Sequence, residues 1–321
     1  MTSTPLDYLS AAGEQASVTQ PLTWFMAIVS IIVCVATAIF IILAIRRNRA
    51  TTGGAAETAA TPVERGGNGI RWIGWAMALS AVPILATLIW TVAALAHVGR
   101  LPRDEAFTIE VAPQQWWWKA TYTGPDPSQN FVTANEIHIP VGVPVRLRLV
   151  GRDVIHSFWV PKLAGKTDAI PGQVNLTWLK AEIPGRYWGQ CAEYCGDQHA
   201  HMAFEVVADT PSAFAQWRAR QLQTAPPPVT SEQKHGLALV EYRCGLCHAV
   251  AGTNAQAVIA PDLTHLMSRR TIAAGMLQTD PAIIAGWVED APSLKPGTLM
   301  PAQHLSGDQL NDVLAYLETL K

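Results

Sequence analysis

Two uncharged apolar runs set the strongest limits on how this chain can fold. Residues 22–45 supply 24 consecutive positions without a charge, and residues 72–96 supply 25. About 20 suffice for a helix to cross the hydrocarbon core of a bilayer. Lipid offers no partner to a free backbone amide or carbonyl, so both runs are expected as spanning helices, at residues 22–45 and 72–97. Arg46, Arg47 and Arg49 follow the first run and Arg65 and Arg71 precede the second, whereas residues 1–21 hold Asp7 and Glu14 and no Lys or Arg. The positive-inside rule then places the loop at 46–71 in the cytoplasm, with 1–21 and everything after 97 on the far side. A cleaved signal peptide fits poorly, because no basic segment precedes the first run and the run is too long. Pro83 is expected to kink the second helix, and Trp24, Trp72 and Trp90 lie where interfacial anchors would.

Charged residues make up 15% of the chain, well below the roughly 25% usual in soluble proteins, in keeping with a membrane-embedded part. With 23 basic against 25 acidic residues, nothing here would draw nucleic acid or an anionic membrane surface. What remains beyond the second run is long enough for two soluble modules.

The first module is expected at 104–209. Short runs at 107–111, 136–139, 143–150, 174–180 and 203–207 alternate apolar and polar residues between Gly and Pro turns, the pattern of an antiparallel sandwich or barrel. Two segments in it carry chemistry: Asp153-Val154-Ile155-His156-Ser157-Phe158, and the loop from Cys191 to Met202, which contains Cys195, His199 and His201. Thiolate, imidazole and thioether together form the ligand set of copper electron-transfer sites, whereas Met is a poor ligand for zinc or magnesium. A mononuclear copper site leaves one cysteine without a role. Two cysteines four apart can instead bridge two copper ions, with one histidine on each and weaker ligands from Met202 and a backbone carbonyl. Residue chemistry alone leaves both His199 and His201 available. A short-loop disulfide is the competing reading of each cysteine pair, while Cys34 lies alone in the first apolar run. His138 sits on an alternating run and reads as a solvated or core histidine.

Residues 210–230 read as a short polar helix followed by the stiff spacer Ala225-Pro226-Pro227-Pro228. A second module is then expected at 231–321. Its Cys244-Gly245-Leu246-Cys247-His248 is the c-type haem attachment pattern: two thiols for thioether bonds and the next histidine for the iron. No further cysteine follows that could complete a zinc site. The sixth iron ligand is expected from Met300, in Gly297-Thr298-Leu299-Met300-Pro301, with Met267 and Met276 as alternatives. A closing amphipathic helix at 306–320 presents Leu310, Val313, Leu314 and Leu317.

Asp153-x-x-His156-Ser157-Phe158, Lys166-x-Asp168-x-Ile170-Pro171-Gly172 and Gly189-x-Cys191-Ala192-Glu193-x-Cys195-Gly196-x-x-His199-x-x-Met202 resemble cytochrome c oxidase subunit II. The segment from Ala260 to Arg270 is similar to class I cytochrome c domains fused to that subunit. The resemblance implies a multi-domain membrane protein: a two-helix transmembrane hairpin, an all-β cupredoxin-like Greek-key domain and an all-α cytochrome c domain. It implies His156, Cys191, Cys195, His199 and Met202 as side-chain ligands of a dinuclear copper centre, and Glu193 as a ligand through its carbonyl. The Glu193 side chain would face a magnesium ion at the subunit I interface. It also implies Trp116 at the position of the electron-entry tryptophan, Cys244 and Cys247 as the covalent attachments of haem c, and His248 and Met300 as its axial ligands. The implied partners are oxidase subunit I, subunit III and a cytochrome or other donor. The implied place is a bacterial plasma membrane, with both soluble modules on the periplasmic face. An equivalent subunit of a copper-containing nitric oxide reductase and a copper-delivery protein are the alternatives. Many members carry a glutamate before the proline of the second helix. Here Ala76 and Leu79 occupy that turn, so no proton-path residue is transferred, and Glu64 reads as a solvated loop charge.

Overall fold

The computed structural model describes residues 6–51, 69–102 and 106–321, so Glu64 and most of the loop at 46–71 lie outside the described residues. The chain divides into two compact units: Val18–Arg100, and Met1–Ser17 together with Leu101–Lys321.

In the first unit, α1 (Glu14–Thr51) and α2 (Gly69–Val98) are both long and apolar enough to cross a membrane. Their apolar side chains point away from the protein, with Phe40 at 70% and Leu79 at 76% exposure. Such a surface is stable only against lipid or a partner. The rings of Phe25 and Trp90 approach to 5.7 Å. Instead of breaking, α2 runs on through Pro83, and the Thr87 hydroxyl donates to the Pro83 carbonyl at 2.7 Å.

The first helix begins eight residues before the apolar run. Its opening residues belong to the second unit, where they are anchored by polar contacts that hydropathy does not reveal. Gln15 Nε2 donates to the Trp178 carbonyl at 2.6 Å, Lys180 pairs with Glu14 at 2.9 Å, and Gly13 bridges Ala181.

The first soluble module is a two-sheet sandwich. One sheet contains β1 (Thr108–Gln114), β2 (Trp117–Tyr122), β3 (Phe131–Ala134), β5 (Val145–Val150) and β8 (Val174–Leu179), in the order β3-β2-β1-β5-β8. The other contains β4 (Glu136–Pro140), β6 (His156–Trp159), β7 (Thr167–Ala169), β9 (Gly185–Cys191) and β10 (Ala203–Asp209), in the order β4-β10-β9-β6-β7. The parallel pairs β1–β5 and β10–β4 are crossovers within otherwise antiparallel sheets, giving the cupredoxin-like fold. Trp118, Phe158 and Phe204 join the sheets as an aromatic cluster with ring centroids 4.6 to 5.8 Å apart. Trp118 is fully buried, and truncating it to Ala would cost about 3–5 kcal/mol. A helix, α3 (Pro211–Gln221), lays Phe214 and Trp217 over one edge of this core.

The second soluble module is helical. α4 (Ser231–Leu239) starts at a Thr230–Gln233 capping box and widens into a π turn at Val240–Cys244. A short hairpin, β11 (Thr271–Ile272) with β12 (Leu277–Gln278), precedes α5 (Pro281–Leu294). That helix leaves helical geometry at Asp290, just before Pro292, because proline lacks the amide and crowds the preceding turn. α6 (Gly307–Leu317) starts at a Ser306–Gln309 capping box. It crosses α4 so closely that a Cβ at Gly236 would lie 1.9 Å from the Asp312 carbonyl oxygen.

Candidate metal and cofactor site

β9 ends on Cys191, and the next turn brings Cys195 back beneath it with the sulfurs 3.7 Å apart. A disulfide bond is about 2.05 Å long, so both thiols are free. His156 enters from the start of β6 with Nδ1 3.8 Å from the Cys191 sulfur. A 3₁₀ turn at His199–His201 sets His199 Nδ1 3.5 Å from the Cys195 sulfur, and Met202 Sδ lies 3.7 Å from the same sulfur. The turn sends His201 elsewhere, with Nδ1 2.8 Å from Gln198 Oε1. The Glu193 carbonyl faces the Cys191 thiol at 3.3 Å while its side chain is exposed. His156, Cys191 and Cys195 form a buried group whose ligand atoms lie within 4.8 Å of one another.

The pair does not hold two protons equally. The hydrogen bond from Cys195, assisted by His156, lowers the Cys191 thiol, and contact with Cys191 together with burial raises Cys195. Cys191 is therefore the thiol of the pair more readily converted to a ligating thiolate. Asp153 sits behind His156, Oδ1 2.8 Å from Nε2, and so leaves Nδ1 aimed at the sulfurs.

The π turn after α4 places Cys244, Cys247 and His248 on a cavity of about 1160 Å³, and Met300 lines the same space. That exceeds the roughly 300–1,000 Å³ of ordinary small-molecule pockets. His248 Nδ1 lies 2.6 Å from the Pro261 carbonyl, which fixes the protonated nitrogen and leaves Nε2 free. Burial holds this imidazole below its usual pKa, in the neutral form a ligand needs. Arg269 is buried on the cavity wall, donating to the Asp262 carbonyl at 2.6 Å, while its Nε has no partner among the described residues.

Trp116 stands between the two sites. Its indole N–H donates to the Cys195 carbonyl at 2.9 Å, and its ring lines the cavity. Gln115 Nε2 donates to the same carbonyl at 2.7 Å. Lys295, at 3% exposure, lies beneath this wall with its amine on three backbone carbonyls, and burial pushes it down to about 8. Lys295 belongs to no motif, and its side-chain partners are carbonyls remote in sequence; Arg269 lies in the cytochrome c-like segment from Ala260 to Arg270 and donates to the Asp262 carbonyl seven residues before it.

The family description "Cytochrome C oxidase subunit II, periplasmic domain" matches residues 125–209, and "Cytochrome c" matches residues 233–321. The cytochrome c oxidase subunit 2 of Alkalihalophilus pseudofirmus is 36% identical over 220 residues, covering 68% of this chain and 62% of that protein. Its counterpart in Bacillus subtilis is 28% identical over 339 residues, covering 98% and 92%. The subunit 2 of Bacillus sp. strain PS3 is 31% identical over 265 residues, covering 75% of this chain and 73% of its own length. The chain belongs to the cytochrome c oxidase subunit 2 family. Within that family it combines a cupredoxin-like domain with a C-terminal cytochrome c domain, and these two domains imply copper and haem c as cofactors.

Proposed function

We propose that this chain is the electron-entry subunit of a terminal haem–copper oxidase. It would pass electrons from a donor, by way of one covalent haem c and a dinuclear copper centre, to subunit I, where oxygen is reduced to water. The observation that carries this reading is Trp116, hydrogen-bonded to the Cys195 carbonyl on one side and walling the cavity of Cys244, Cys247, His248 and Met300 on the other.

The donors suit these groups. Two imidazoles, a thioether and a carbonyl each lie within 3.8 Å of one of two neighbouring thiols, and the thioether favours copper over zinc. Cys191, Cys195, His156, His199, Met202 and the Glu193 carbonyl would hold the two ions. In the second cavity Cys244 and Cys247 would bind haem covalently and His248 Nε2 and Met300 Sδ would ligate the iron. The partnerless Nε of Arg269 would donate to a haem carboxylate. When bound, both groups supply reversible one-electron chemistry.

The residues' own work is positioning. Asp153 orients His156, Pro261 orients His248, and Trp116 with Gln115 pins the Cys195 backbone, so the ligands are held before and after the electron arrives. The exposed Glu193 carboxylate is free to reach a magnesium ion shared with subunit I. α1 and α2 would anchor the subunit in a bacterial plasma membrane, beside subunits I and III, with both soluble modules on the periplasmic face.

Electron paramagnetic resonance and optical spectra of the purified complex test this reading. The expected result is a mixed-valence copper pair and a c-type haem in the same preparation, with oxygen consumed. One labile Cu(I) per chain without haem would overturn it in favour of copper delivery. Consumption of nitric oxide in place of oxygen would move the subunit to a different catalytic partner.

A further inference from the structure

The geometry points to Lys295 as a positioning residue that fixes the register between the two soluble modules, and with it the placement of the haem cavity against the copper loop. This rests on the electron-entry reading. Lys295 follows the end of α5 in the C-terminal module, yet its ammonium donates to Trp116 O at 3.1 Å and His201 O at 2.8 Å in the sandwich, and to Ala273 O at 2.9 Å in its own module. An ammonium has three donors and no acceptor, and these three carbonyls use all of them.

Trp116 is the wall between the sites, and His201 closes the turn that carries His199. The clamp therefore grips the sandwich at the two segments that frame the metal loop. Around it the same face is fixed by Gln198 Nε2 on the Pro296 carbonyl at 2.8 Å and by the Ala203 amide on the Ala274 carbonyl at 3.0 Å. Ala273 and Ala274 both have positive φ, 53° and 59°, a conformation costly for alanine that turns their carbonyls to Lys295 and to Ala203. Gly297, at φ +85°, lets the chain pass close to the Trp116 ring, which a Cβ there would approach to 3.1 Å.

A buried charge contributes little net affinity, because desolvating it cancels much of what its hydrogen bonds return. It contributes selectivity instead. Sliding the modules by even one residue would part a buried ammonium from its three carbonyls, a heavier penalty than losing the neutral hydrogen bonds beside it. Lys295 thus excludes near-miss dockings more than it tightens the correct one.

The test uses the assembled complex carrying Lys295→Met, which keeps the apolar stem and removes the donors, beside Arg270→Gln as a control. Arg270 meets Glu205 at 3.5 Å at the exposed rim of the same interface. Two readouts are taken: hydrogen exchange of the Ala203 amide, and the rate of flash-induced electron transfer from the haem to the copper pair. Lys295→Met should keep haem and copper content, lose protection at Ala203, and slow transfer several-fold, because tunnelling weakens with each added ångström between the haem and the copper pair. Arg270→Gln should leave both readouts at the parent level. Unchanged protection in Lys295→Met, a parent-like rate despite lost protection, or an equal effect of Arg270→Gln would each overturn the assignment. A parent complex without copper pair and haem would overturn the electron-entry reading instead, and the exchange readout would still decide whether Lys295 sets the register.

Discussion

Asp153 contributes no bond to the proposed copper centre, but it is the side chain on which His156 depends. It holds Nε2 at 2.8 Å through one oxygen and accepts the Gln115 amide at 2.6 Å through the other, tying the proposed ligand His156 to the β1–β2 turn that carries Trp116. Replacing such a partner typically weakens metal retention about 10- to 100-fold. Asp153→Asn should therefore lose copper to a competing chelator at concentrations the parent resists, with haem content unchanged. Met300→Ala should abolish the Met–iron charge-transfer absorption, which would persist if Met267 or Met276 were the ligand. His138 offers a pH dependence of a different origin. Its ring nitrogens face Asp209 at 2.6 Å and Glu136 at 2.9 Å, and Arg186 binds Glu136 and Glu205 alongside. Burial opposes protonation, but the two carboxylates outweigh it and raise the His138 pKa. The stabilisation is complete below the unfolded value near 6.5 and is lost as pH rises through the folded value. Urea unfolding should show the parent weakening over that window, and His138→Gln should flatten the slope. Much of the site was legible because five donors fall within a twelve-residue loop from Cys191 to Met202. The choice between His199 and His201 was not decidable from residue types, since it depends on the direction of a single 3₁₀ turn.

Among the elements, the crossing of α4 and α6 leaves the least room for change. Gly236→Ala would push a methyl group into the Asp312 backbone, which cannot move as a flexible side chain can. A loss of about 1–3 kcal/mol is expected from such overpacking, read as a lower melting temperature for the haem module. Ser306→Ala, which deletes half of a capping box, should cost about 1 kcal/mol by the same measurement. β1, β4, β5, β8 and β10 are legible in the sequence because their runs place apolar residues between polar ones. β2 and β9 are not. The adjacent Trp117 and Trp118 mask the alternation of β2, although they point to opposite faces of the sheet, and β9 contains Gly189, where a Cβ would lie 2.3 Å from the Phe204 ring. Close packing from another strand selected glycine there, and that partner is invisible along the chain. The early start of α1 escaped for a similar reason: Glu14 and Gln15 are polar, and their partners are Lys180 and the Trp178 carbonyl.

For the molecule as a whole, the two soluble modules are joined twice, by the chain through Ala225-Pro226-Pro227-Pro228 and by the face built around Lys295. A protease site in place of the three prolines should leave the 231–321 fragment bound to the rest after cleavage, detected by co-elution in size-exclusion chromatography. Immediate release would mean that the tether alone supplies the high local concentration that keeps them together. The sequence announced both modules through their separate cysteine motifs, but their mutual face consists largely of backbone carbonyls and turns, for which residue types carry no code. The proposed haem cavity is walled on one side by Gln114, Trp116, Trp117, Asn135 and Arg152, all from the sandwich. The cytochrome module therefore does not own its pocket. Expressed alone, it would present that side to water, and because polarity around a haem helps set its reduction potential, its redox behaviour in isolation would describe a different protein from the one in the intact chain.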